Sequence, residues 1–94
     1  MAPLYEAAAR GHEAVVAVLL GSGAVVDQAD GDGMTPLFGA VIGGHLPVIK
    51  LLVSGGASVQ VRAANGSLMD CANHFGVEAI VDFLSVAVAA AAAQ

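Results

Sequence analysis

Few residues in this 94-residue chain could do chemistry: one cysteine, three histidines and eight carboxylates. The densest polar stretch is Asp27-Gln28-Ala29-Asp30-Gly31-Asp32-Gly33. Asp30, Asp32 and Gly33 fall where a calcium loop places its third and fifth ligands and its sixth-position glycine. The first ligand would then be Gln28, and Gly39 would stand in place of the bidentate glutamate at the twelfth position. With two ligands missing, the segment reads instead as an acidic tight turn, where Asp and Gly are the usual residues. Cys71 and His74 lie three residues apart. A cysteine nucleophile needs a positioned base and a third group to orient it, and no such constellation is present. No two histidines have zinc-ligand spacing, and one thiol cannot complete a thiolate site. The Gly-Gly pairs lack the Gly-Lys-Ser/Thr ending of a phosphate loop. No catalytic residue, metal or cofactor is assigned.

The elements that carry these residues follow from an internal repeat. Displaced by 33 residues, Pro3 falls on Pro36, Leu4 on Leu37, Tyr5 on Phe38, Ala7 on Ala40, Gly11 on Gly44 and His12 on His45. Gly23-Ala24 falls on Gly56-Ala57. A degenerate third copy follows at a spacing of 32, with Ser67 on Thr35, Met69 on Leu37, Ala72 on Ala40 and Leu84 on Leu52. Within one unit, Thr35-Pro36 is a helix start: Thr can cap free amides, and Pro suits the first helical position. Leu37, Ala40 and Val41 share a helical face, and Gly43-Gly44 ends the helix. Pro47 fits only the first turn of a second helix, whose stripe is Val48, Ile49, Leu51 and Leu52. Gly55-Gly56 closes it, and Val59-Gln60-Val61 leads, extended, to the next turn. The unit is helix, loop, helix and a projecting turn.

That unit resembles the ankyrin repeat. The resemblance is carried by Thr35-Pro36-Leu37-Phe38-Gly39-Ala40, Gly44-His45, Leu51-Leu52 and Gly56-Ala57. The first copy matches through Pro3-Leu4-Tyr5-Glu6-Ala7, Gly11-His12, Leu19-Leu20 and Gly23-Ala24. It implies an all-α solenoid of stacked helix-loop-helix pairs with projecting β-turn or hairpin loops. The array is assigned to 1–85, with repeats of about 1–33, 34–65 and 66–85, followed by an Ala-rich helix extension or tail at 86–94. The family's signature His is replaced by Tyr5, Phe38 and Asp70, which puts the hydrogen bond it usually provides in question. In the third copy Leu68 replaces Pro, but Ser67 and Asp70 form a capping-box pattern. Asn65 takes the turn position that usually holds Gly, Asn being the next-best residue for a left-handed turn. The closing Gly-Ala of that copy is missing, so the last helix is expected to begin near Glu78 and fray before Gln94.

Composition narrows the function classes. Hydrophobic residues make up 57% of the chain and charged residues 12%, against a usual charged share of about 25%. That excludes intrinsic disorder. The net charge of −5 gives no basic footprint for nucleic acid. The N-terminus lacks a basic start and apolar core, and no apolar run approaches the roughly 18 residues of a membrane span. A single cysteine fits a reducing compartment, so a cytoplasmic or nuclear location is expected. The helix Glu13–Leu20 is apolar nearly all round, which calls for neighbours on several sides. Additional repeats or self-association at the apolar ends are therefore expected.

The resemblance implies a noncatalytic protein-binding module, with the partner on the concave face made by first helices and turn tips. The alternative is a structural or regulatory fragment of a larger protein whose activity lies elsewhere. The candidate contact residues are Arg10, Asp30, Asp32 and Met34, then Phe38 and Ile42. The third unit adds Arg62, Asp70, His74 and Phe75. Met34, Phe38, Ile42 and Phe75 are the apolar anchors, because interface cores favour aromatics and Met. Asp30 and Asp32 would steer a basic partner, and Arg62 is placed to bridge to Asp30 from the neighbouring turn. For Phe38 and Ile42, packing between units is the competing role.

Overall fold

The computed structural model describes residues 3–31, 33–63, 66–75 and 78–92. Three helix pairs follow one another: α1 (Pro3–Arg10) with α2 (Glu13–Gly21), α3 (Pro36–Gly43) with α4 (Leu46–Ser54), and α5 (Leu68–Phe75) with α6 (Glu78–Ala92). A two-residue hairpin of β1 (Arg62–Ala63) and β2 (Gly66–Ser67) precedes α5, pairing Arg62 with Ser67 and Ala63 with Gly66. The first helices stack in the order α1, α3, α5, and α2 packs on α4. Among the described residues no helix is long and apolar enough to cross a membrane.

The loops repeat as closely as the sequence does. His45 N–H donates to the Ala40 carbonyl at 2.9 Å and Gly44 N–H to Val41 at 3.1 Å. One unit earlier, His12 N–H donates to Ala7 at 3.0 Å and Gly11 N–H to Ala8 at 3.2 Å. This double closure uses carbonyls that the helix end leaves free, and it needs a left-handed residue. Gly11 and Gly44 supply it, with φ of 75° and 73°. Pro36 opens α3 and Pro47 stands in the first turn of α4, where a missing N–H costs nothing.

Leu4, Val16, Leu37, Val48, Ile49, Leu52, Leu68, Ile80 and Leu84 belong to one continuous buried cluster across all three pairs. Small residues bring α1 and α3 close. A Cβ on Gly39 would stand 3.2 Å from the Tyr5 ring, and one on Gly43 only 2.6 Å from the Ala9 carbonyl oxygen. His45 then ties the pairs together, its Nε2–H donating to that Ala9 carbonyl at 3.1 Å. A second tie joins the turns: Ser58 N–H donates to the Asp27 carboxylate at 3.1 and 3.2 Å. Between α4 and α6, the Lys50 ammonium lies 5.8 Å from the Phe83 ring centroid.

Two expectations are corrected and one is met. Thr35 starts α3 in extended conformation but makes no side-chain cap bond. It is 3% exposed, and its Oγ1 has no hydrogen-bond partner. Three residues on, Phe38 stands in the signature His position and carries no polar side-chain atom. Arg62 does not bridge to Asp30; among the described residues the ion pair is Arg10 to Glu6 at 2.9 Å. The reciprocal cap in the third copy is present: Ser67 N–H donates to Asp70 Oδ2 at 3.1 Å, and Asp70 N–H donates to Ser67 Oγ at 3.1 Å. Asn65 lies outside the described residues.

Candidate functional site

The fold sorts the candidate contacts into three groups. Ile42, Asp70, His74 and Phe75 converge with Cys71 on one open cleft of about 500 Å³ between α3 and α5. Ile42 ends α3 on its outer side and keeps 37% of its surface exposed, and Phe75 keeps 46%. The His74 and Phe75 rings meet edge to face, 5.0 Å between centroids at 87°. That arrangement suits the aromatic quadrupole and restrains both rings. Cys71 is buried as a small helix residue.

Asp70 is the cleft's charged group. Its carboxyl is held below the ordinary carboxylate range, first by the Ser67 N–H and then by the Ser67 hydroxyl. Slight burial opposes this, and the nearby Arg62 adds to the lowering. The reciprocal bonds with Ser67 fix the side chain at the start of α5, where a carboxylate also meets the positive end of the helix.

The second group lies along the turn before α3. Asp30 Oδ1 accepts the Met34 N–H at 3.0 Å, while the Asp30 N–H donates to the Met34 carbonyl at 3.1 Å. Met34 is half-buried and packs on the core. Asp32 lies outside the described residues. Arg10 is exposed at the end of α1 and is engaged by Glu6. Arg62 is exposed on β1.

Phe38 leaves the set. It is fully buried at 0% exposure, because its face of α3 points into the packing between helix pairs. A residue with no exposed surface cannot anchor a partner on the intact fold. Tyr5 is the residue that sequence reasoning passed over. Its ring packs over Gly39, and its hydroxyl is pushed up by burial first and then by the charges of Asp30 and Cys71. The signal was present, since Tyr5 occupies the same repeat position as Phe38.

The histidines divide as well. His45 binds a backbone carbonyl across the first pair boundary, His12 holds the same position and is exposed, and His74 lines the cleft. Among the described residues no three His, Cys, Asp or Glu side chains converge to hold a metal ion.

The family model described as "Ankyrin repeats (many copies)" matches residues 4–53. That span covers α1 to α4 but for the first residue of α1 and the last of α4. No curated protein matches the chain. Ankyrin repeats serve in general as protein–protein interaction modules and are in general noncatalytic. With its motif match extending over more than half its length and three stacked helix pairs in the fold, the chain belongs to the ankyrin-repeat family.

Proposed function

We propose that this chain is a noncatalytic intracellular binding module. It receives a basic or mixed basic-apolar protein segment on the face of α1, α3 and α5. The observation that carries this reading is the exposure of Ile42 and Phe75 on first helices, at 37% and 46%, beside the Asp70 carboxylate. Large apolar residues left open next to a fixed charge are the makings of an interface core with a polar rim. Asp30 on the turn side, with a net charge of −5 behind it, raises the association rate of a cationic partner. Arg10, Met34, Arg62 and His74 border this surface.

The test is affinity capture from extract of the source cells with three forms of the chain. Ile42→Glu with Phe75→Glu should lose the specific partner. Val18→Glu on α2, the opposite side, should keep it. Retention by the first variant, or loss only by the second, refutes the placement.

A second reading is favoured by α2. Val15 and Val18 are 47% and 66% exposed, and Pro3, Leu4, Leu19, Ala24, Val25 and Gln28 line a mostly aliphatic groove of about 400 Å³. An outer face of this kind fits a segment of a longer array, or a self-associating one, whose activity lies elsewhere. Size-exclusion chromatography over a dilution series tests the self-association, which requires a concentration-dependent elution volume.

A further inference from the structure

We propose that the cleft between α3 and α5 is a receptor for one arginine side chain of the partner. The aliphatic stem lies against Ile42 and Phe75, and the guanidinium sits on Asp70. The proposal rests on the reading of this face as a protein-binding surface and narrows it to one pocket and one residue type.

Space, walls and charge each contribute. The cleft holds about 500 Å³, inside the roughly 300–1,000 Å³ range of ligand clefts. It therefore accepts a long side chain together with its immediate neighbours. Its apolar wall is preorganised: the Phe75 ring is braced by His74 at 5.0 Å, and Ile42 is held on the last turn of α3. Its anion is preorganised too. Asp70 Oδ2 is engaged by the Ser67 N–H. Among the described residues, no ion pair reaches the carboxylate. A site whose groups are fixed before binding loses little entropy on binding.

The chain's own cations do not fill the cleft. Arg10 is paired with Glu6, and Lys50 lies over Phe83 on the other side of the stack. Arg62 is near enough to influence Asp70 but makes no ion pair among the described residues. Among the described residues, Asp70 is therefore left without an ion-pair partner at the cleft. Arginine suits the cleft better than lysine. Its guanidinium is planar and weakly hydrated, so it lies along an apolar or aromatic wall while donating to a carboxylate oxygen. A lysine ammonium would have to shed a stronger hydration shell to do the same.

The experiment is a two-dimensional NMR titration of the full chain with the capped tripeptide acetyl-Ala-Arg-Leu-amide. Its partner probe carries citrulline, the uncharged near-isostere, in place of arginine. The expected result is saturable shifts at Ile42, Asp70, Cys71, His74 and Phe75, with binding at least about tenfold weaker for citrulline, as suits loss of a charged hydrogen bond. Asp70→Asn should weaken the arginine peptide by a similar factor. Ile42→Ser, at an exposed position, should weaken both peptides. Absence of saturable shifts at millimolar peptide, equal binding of the two peptides, or shifts centred on other carboxylates would overturn the proposal. If those arms fail while the Ile42→Glu/Phe75→Glu variant still loses its cellular partner, the arginine receptor is wrong and the binding face stands. If that variant keeps its partner, the face itself is wrong.

Discussion

Replacing Thr35 by valine should stabilise this protein, although Thr stands at a helix start where it normally contributes. At an ordinary N-cap, loss of the hydroxyl costs about 1 kcal/mol. Here there is no cap bond to lose. The hydroxyl is 3% exposed with no partner, and an unmatched buried hydroxyl costs roughly 1–3 kcal/mol. Valine has nearly the same shape, so the cavity does not change. The expected gain is about 1–2 kcal/mol, or roughly 4–8 °C in Tm per kcal/mol for a domain of this size. The assay is urea unfolding followed by far-ultraviolet circular dichroism, with a higher midpoint and an unchanged slope. A midpoint lowered by the equivalent of about 1 kcal/mol would show that Thr35 caps α3 in solution, and the reasoning would fall. A double-mutant cycle sharpens the point. Phe38→His introduces a polar partner next to Thr35, and its cost should be smaller with Thr35 present than with valine, by about 1 kcal/mol.

Three further outcomes follow from the same structure. Asp70 has a folded pKa below its unfolded value, so its ionisation contributes stability above the ordinary range near ~3.9, and that contribution is lost as pH falls through the folded value. The difference in urea midpoint between the wild type and Asp70→Asn should therefore shrink as pH is lowered from neutral into that range. Gly43→Ala would put a Cβ 2.6 Å from the Ala9 carbonyl oxygen, which is backbone and cannot swing aside; it should cost about 1–3 kcal/mol in the same unfolding assay. Cys71 is buried and its thiol is pushed up by burial, so alkylation by iodoacetamide at neutral pH should be slower in the folded protein than in urea, as read by mass spectrometry.

What the sequence discloses here is whatever the chain does locally. The left-handed glycines at 11 and 44, the prolines in first turns and the Ser67–Asp70 box all depend on residues within a few positions of one another, and each forms as its spacing implies. The start of α6 at Glu78 follows in the same way from the Ala-rich run behind it. What was misjudged depends on neighbours distant in sequence. Whether Phe38 faces solvent or core is decided by how α3 sits between its neighbours, and spacing along α3 cannot tell those sides apart. Thr35, 3% exposed, makes no cap bond and its Oγ1 has no partner, an outcome that its position ahead of Pro36 does not disclose. Tyr5 became visible only once α1 lay against Gly39, bringing its hydroxyl within range of Asp30 and Cys71. The cleft is likewise a product of two helices that are nearly thirty residues apart in the chain, although four of its five lining residues are among the candidate contacts that the sequence offers.

The two ties between the first and second helix pairs sit at opposite ends of α4. His45 at its start holds Ala9, and Ser58 beyond its end holds Asp27. One such point would act as a pivot. Two, separated by about 13 Å of helix, behave as a clamp that resists both twist and shear. The boundary between the second and third pairs is built otherwise. It carries packing, the connecting hairpin and the Lys50–Phe83 contact, and among the described residues no side-chain hydrogen bond crosses it from helix pair to helix pair. Among the described residues, the stack is thus tied by side chains at one joint and held by packing at the next. The cleft of Ile42, Asp70 and Phe75 opens on that second boundary, so its shape is set by the packing of α3 on α5 and by the Ser67–Asp70 box, not by a bond across the joint.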